Sequence, residues 1–170
     1  EHQNLSGKKL QYFDPEMNEN YTPYVVETSI GCDRMFLAMV ANALKEEKVP
    51  DADGQDSVRT VLSLHPALAP VKVAVLPLLK NKEELTSAAQ DVFHSLKKHF
   101  SVQYDEKDAI GRRYRRQDAI GTPYCITIDF ETLENNTVTI RDRDTLVQER
   151  ISIDEIKTKI GNNVSLESLL

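Results

Sequence analysis

A chain of 170 residues with 40% apolar content has room for one complete core, or for one domain joined to part of another. Its formal net charge of −6 argues against indiscriminate binding to nucleic acid or acidic membrane, so any polyanion site has to be a local patch. No apolar run is long enough to cross a bilayer, the polar opening EHQNLSGKK carries no secretory pattern, and Cys32 and Cys125 sit far apart in apolar runs that suit buried, reduced thiols of a cytosolic protein.

In chain order, Lys8 to Phe13 and Tyr21 to Thr28 flank the turn-rich DPEMNEN and predict a β-hairpin. Ser29-Ile30-Gly31-Cys32-Asp33 then leads into a helix starting at Arg34 and running through MFLAMVANALKEE, apolar on nearly every side of its first turns. Such a helix expects protein all around it, so the first seventy or so residues read as the tail of a larger domain or as a surface packed on a partner chain. Val49 to Asp56 is an acidic, turn-rich connector, and Val58 to Leu64 is a further strand or an extended crossing. HPALAP ends this unit with two prolines. The expected division is 1–68 and 69–170.

Beyond that boundary, strand and helix alternate as in an α/β layer structure. VKVAVL, from Val71, is a buried strand; Asn81 with Glu84 has capping-box spacing and opens a helix whose stripe is Leu85, Ala88, Ala89, Val92, Phe93 and Leu96. Ser101 to Tyr104 is a short strand. A basic helix follows from a cap at Asp108 to Gly121, and Pro123 to Asp129 is the third strand, parallel to the other two by right-handed crossovers. Thr137 to Arg141 and Leu146 to Arg150 have connections too short for a helical crossover and should add antiparallel strands. Ser152 with Glu155 caps a final helix through Ile156 and Ile160. The fold class is therefore α/β, a five-stranded mixed sheet with three helices, preceded by a hairpin and helix.

Two stretches carry candidate chemistry. Arg112, Arg113, Arg115 and Arg116 make the basic helix either a polyanion surface or a solvated face paired with Asp105, Glu106, Asp108 and Asp118. Its predicted place beside the C-terminal ends of parallel strands, where open α/β sheets bind ligands, favours the first. Tyr114 and Tyr124 can stack on bases or belong to the core, and Arg141, Asp142, Arg143 and Asp144 form an ion-pair knot or a set of base-edge groups. In PYVVETSIGCDRMFLAMV, from Pro23 to Val40, Glu27 and Ser29 end a strand two residues apart and share a side, Gly31 permits close approach of a ligand, and Arg34 at a helix start suits nucleotide phosphates or an ion pair. The four histidines and the acidic runs lack metal-ligand spacing, and no Gly-rich phosphate loop occurs.

The segment ending in G-x-D-R before an apolar helix resembles motif 3 of class II aminoacyl-tRNA synthetases, and VVETSIGCDRMFLAMV is similar to the version in the dimeric glycyl-tRNA synthetases. HPALAP, VKVAVLPL, IGRRYRRQDAIGTPYCITID and VTIRDRDT resemble the C-terminal anticodon-binding domain of the same family. The resemblance implies an ATP-dependent glycine–tRNA ligase that is cytoplasmic and homodimeric, with Mg-ATP and glycine forming glycyl-adenylate before transfer to the tRNA. Arg34 is then the catalytic motif 3 arginine on ATP, Glu27 contacts ATP and with Ser29 recognises the amino group of glycine and closes its pocket, and Gly31 lets backbone pack against the substrate. Thr28 departs from the proline of many relatives. Motifs 1 and 2 would precede Glu1, so the chain is expected to be a C-terminal fragment without activity of its own. Residues 69–170 would hold the anticodon of a glycine tRNA through Arg112, Arg113, Arg115, Arg116, Arg141 and Arg143. The alternatives are an accessory subunit using the same module for RNA or protein contact, and a flavodoxin-like regulatory domain.

Overall fold

The computed structural model describes residues 1–50 and 56–169 and divides into two compact units, Glu1–Met35 and Phe36–Leu170. In the first, helix α1 (His2–Ser6) precedes a small antiparallel pair, β1 (Tyr12–Asp14) and β2 (Glu19–Tyr21), with Tyr12 opposite Tyr21. The hairpin is present but shorter than the β-former content suggests. Residues 22–31 have no regular secondary structure, because no neighbouring strand takes up their backbone groups.

Helix α2 (Cys32–Ala43) ends earlier than expected. Leu44–Pro50 is a strand, β3, paired antiparallel with β4 (Asp56–Leu62), so LKEEKV joins a ladder although its composition suits a helix. Val58 and its neighbours are thus a strand; of the expected acidic connector, 51–55 lie outside the described residues. Seven paired positions, from Leu44 opposite Leu62 to Pro50 opposite Asp56, outweigh local helix propensity.

The main sheet contains β5 (Val73–Pro77), β6 (Val102–Tyr104), β7 (Tyr124–Ile128), β8 (Thr137–Asp142) and β9 (Gln148–Ser152) in the order β6-β5-β7-β8-β9. The first three are parallel and the last two antiparallel, as the connection lengths require. On one face, α3 (Glu83–Leu96) and α6 (Ile156–Val164) bury Leu85, Ala89, Val92, Leu96, Ile156 and Ile160 against Val73, Val75, Ile126, Ile128 and Ile140. Each fully buried Leu or Ile stabilises by about 1.5–3 kcal/mol. The other face is covered by α4 (Ile110–Ile120), whose Ile110 and Tyr114 meet Ala74, Leu76 and Cys125.

Two helix starts depart from expectation. Neither Asn81 nor Asp108 caps a helix: α3 is preceded by Lys82 and α4 by Ala109, neither with a side-chain cap, and Asp108 adopts φ +69°. Asp108 cannot turn its carboxylate to the helix start because it pairs with Arg116 at 2.8 Å. A further short helix, α5 (Phe130–Asn135), follows β7 with a capping box between Asp129 and Thr132. The box at Ser152 and Glu155 forms as expected and opens a 3₁₀ turn before α6.

Candidate nucleic-acid interface

Helix α4 sorts its arginines by periodicity. Arg113 points inward, 1% exposed, and donates to the carbonyls of Pro77, Leu78 (3.2 Å) and Asp108 (3.1 Å). It holds the end of β5 to the start of α4, and burial pushes its pKa down from the ordinary arginine value. Arg116 pairs with Asp105 and Asp108, both at 2.8 Å, and those hydrogen bonds raise its pKa. Arg112 is exposed. Arg115 is half-buried, donates to Ser57 Oγ at 2.6 Å, and keeps a buried Nη1 without a hydrogen-bond partner among the described residues.

Beside α4 lies a groove of about 760 Å³. Ala109, Gly111, Arg112, Tyr114 and Arg115 of α4 and its start form one wall, Val49 and Arg59 of the β3–β4 hairpin another, and Arg141, Leu146 and Gln148 of the β8–β9 region the third. Cys125 is opposite Arg141 in the ladder, so Arg141 emerges on the α4 face of the sheet. The groove therefore opens along β8 on that face of the sheet.

Its floor is ionic. Arg141 makes a bidentate pair with the fully buried Asp118, Nη1 to Oδ1 at 2.8 Å and Nη2 to Oδ2 at 2.9 Å, and Arg59 Nη1 reaches the same Oδ2 at 3.2 Å. Burial alone would lower the Arg141 pKa, but the Asp118 carboxylate outweighs it and the net shift is upward. Arg59 also meets Glu47 Oε2 from Nε (2.9 Å) and Nη2 (2.5 Å). The Arg141 guanidinium lies 4.8 Å from the Tyr114 ring centre, and the Tyr114 hydroxyl and Thr127 Oγ1 are 2.6 Å apart.

Arg143 does not line this groove. It is 1% exposed and donates to the carbonyls of Leu62 (3.2 Å), Gly121 (2.7 Å) and Leu64 (2.7 Å) as well as to Asp144. Asp142 Oδ1 accepts from the backbone of Asp144 and Thr145, which closes the turn. The RDRD run thus forms the ion-pair and turn knot that was one of its two expected roles. Tyr124 is buried and accepts from Asn163 Nδ2 at 3.0 Å, which places its ring in the core. Arg59 was invisible to pattern reasoning, since a single arginine in VRTVL carries no periodic signal; its only cue was its place in an alternating strand.

In the Glu1–Met35 unit, Glu27, Ser29, Gly31 and Arg34 are all exposed. Glu27, Ser29 and Gly31 lie in the irregular stretch before α2 and Arg34 in its first turn, so the strand geometry expected to align Glu27 with Ser29 is absent. Cys32 is exposed, contrary to expectation, whereas Cys125 is buried and its thiol is pushed up to about 12 by burial. No group of three or more metal-ligating side chains occurs among the described residues.

Comparison with known proteins agrees with this architecture. The chain is 56% identical over 164 residues to a glycine–tRNA ligase of Clostridium tetani and 49% identical over 164 residues to that of Thermobifida fusca, in both cases over 96% of its own length. It spans about a third of the length of these curated relatives, 34% and 35%. Among solved structures, the RNA binding domain of threonyl-tRNA synthetase from Cryptosporidium parvum matches with a TM-score of 0.54 and 25% identity, over 59% of this chain and 25% of that one. Residues 72–163, more than half the chain and the whole five-stranded sheet, match the anticodon binding domain, and the chain belongs to that family.

Proposed function

We propose that this chain supplies anticodon recognition to a glycine–tRNA ligase, and that the groove between α4, the β3–β4 hairpin and the β8–β9 region receives the unpaired anticodon bases of a glycine tRNA. One observation carries this: guanidinium groups of Arg59, Arg112, Arg115 and Arg141 converge on one concave surface of a chain whose net charge is −6. Guanidinium groups hold phosphates by charge and paired hydrogen bonds and stack on splayed bases. Arg112 is exposed, and the buried, unmatched Nη1 of Arg115 suits a phosphate oxygen reached by a small side-chain movement. Arg113 and Arg143 tie strand and helix ends together through backbone carbonyls outside the groove, and Arg116 steadies the loop before α4 through Asp105 and Asp108.

Fluorescence anisotropy with a glycine-tRNA anticodon stem-loop tests the proposal. It should bind more tightly than a loop with altered anticodon bases, and equal affinity for the two would overturn anticodon recognition in favour of general RNA binding. Arg112→Ala and Arg115→Ala should each lower the salt slope of binding by about one unit if each touches a phosphate.

The whole enzyme would be a cytoplasmic homodimer that activates glycine with Mg-ATP, with Arg34 and Glu27 on ATP and Glu27, Ser29 and Gly31 around glycine. This rests on the motif 3 resemblance. On this chain the four residues are exposed. Glycine-dependent ATP–pyrophosphate exchange by the 170 residues should be absent. Measurable exchange would show that these residues suffice.

A further inference from the structure

One carboxylate organises the groove. Asp118, from α4, is wholly buried and accepts from Arg141 of β8 and Arg59 of β4, elements remote from one another in sequence. Arg59 has its remaining donors on Glu47 and on the Arg143 carbonyl (2.8 Å), and Arg141 has both Nη atoms on Asp118. Both side chains are buried, 3% and 7% exposed, and one face of the Arg141 guanidinium lies on the Tyr114 ring, so in the groove they act through their charge and by fixing the shape of its floor. A charge beneath a groove discriminates between bases only where its position is fixed. A buried ion set is a weak source of net stability compared with apolar packing of the same volume, and its best-attested use is to specify geometry. Arg143 marks the contrast: it is as buried as its neighbours but is held largely by backbone carbonyls and lies outside the groove.

We infer that Asp118 is the positioning residue of this groove, fixing Arg59 and Arg141 so that the site discriminates between anticodon bases. The inference rests on the groove being the anticodon site. It makes a prediction about the cognate-to-altered ratio that charge alone does not. Asp118→Asn removes a negative charge from beneath an arginine-lined surface, so simple electrostatics would tighten binding to every RNA. Loss of positioning instead abolishes the preference for the cognate loop while leaving affinity for an altered loop unchanged or higher.

The test is to titrate the wild-type chain, Asp118→Asn, Arg141→Lys and Ile160→Ala with cognate and altered anticodon stem-loops, below the melting temperature of each as followed by circular dichroism. Ile160 is fully buried against the opposite face of the sheet and reports what destabilisation alone does. Asp118→Asn should reduce the cognate-to-altered affinity ratio at least fivefold and Ile160→Ala should keep it. Should Asp118→Asn fail to fold, Arg141→Lys, which keeps the charge and loses the bidentate pair, should show the same loss. A ratio retained by the folded variants, or lost equally by Ile160→Ala, overturns the positioning role. A wild-type chain that does not discriminate overturns the anticodon assignment itself, and the positioning role with it.

Discussion

Gly121 is the point at which the hairpin, α4 and the RDRD turn meet, and replacing it with alanine should be costly. It ends α4 with φ +85° and ψ 20°, and a Cβ there would lie 2.8 Å from the Leu62 carbonyl oxygen and 3.4 Å from the Leu62 Cβ and Cδ2. The left-handed conformation costs a residue with a side chain about 1–2 kcal/mol. Forcing an extra carbon into a filled space costs about 1–3 kcal/mol more. The obstacle is backbone, and it is not free to move, because the same Leu62 carbonyl accepts from Arg143 Nη1 and the Gly121 carbonyl accepts from that nitrogen too. The sum is about 2–5 kcal/mol, which for a chain of this size lowers the melting temperature by roughly 5–20 °C. Thermal unfolding followed by circular dichroism reads this directly. Gly111→Ala is the paired control: nothing lies within 4 Å of its would-be Cβ, and alanine in α4 should be neutral or stabilising by up to about 1 kcal/mol. A Gly121→Ala melt within about 1 kcal/mol of wild type would refute the steric argument.

The two thiols should separate cleanly. With Cys32 exposed and the Cys125 thiol pushed up to about 12 by burial, a thiol reagent at pH 8 should label one cysteine in the native chain and both in denaturant; two labels in the native state would contradict the burial of Cys125. Acid should loosen the turn after β8. Burial works against the charged form of Asp144, but hydrogen bonds from Arg143 outweigh it and hold its carboxyl below the usual range. A depressed carboxyl contributes stability that is present above the unfolded value near 4 and lost as pH falls through the lower folded value. Asp144→Asn should therefore flatten the acid limb of a stability-against-pH curve below about pH 4, and an unchanged slope there would remove Asp144 from the account.

The main sheet was legible because its strands are apolar runs with turn chemistry between them. VKVAVL and YCITI are buried on both faces and read as strands whatever surrounds them, and connection length alone made three parallel and two antiparallel. The β3 strand was not legible. LKEEKV has helix-forming composition, which outweighed the Asp53-Gly54 turn signal after it, and only its pairing with VRTVL converts it. Buried arginines were the other blind spot. Arg113 and Arg143 look like surface charge in any pattern, and what buries them is a set of free carbonyls at strand and helix ends, which a sequence does not display. Helix α5 could have been found, since Asp129 with Thr132 three residues on is a capping signal.

The contacts around Leu62 and Leu64 also bear on where this module can be cut. The family match begins at residue 72, but Arg143, Asp118, Asp144 and Lys72 all find partners before it, at Leu62 and Leu64, Arg59, Ser63, and Pro66 and Ala67. A domain excised at that edge would leave the Arg143 guanidinium, now 1% exposed, without two of its carbonyls, and the Asp118 carboxylate with one arginine in place of two. The β3–β4 hairpin is thus better regarded as part of the folding unit, and a truncation that preserves the fold should break the chain ahead of Leu44.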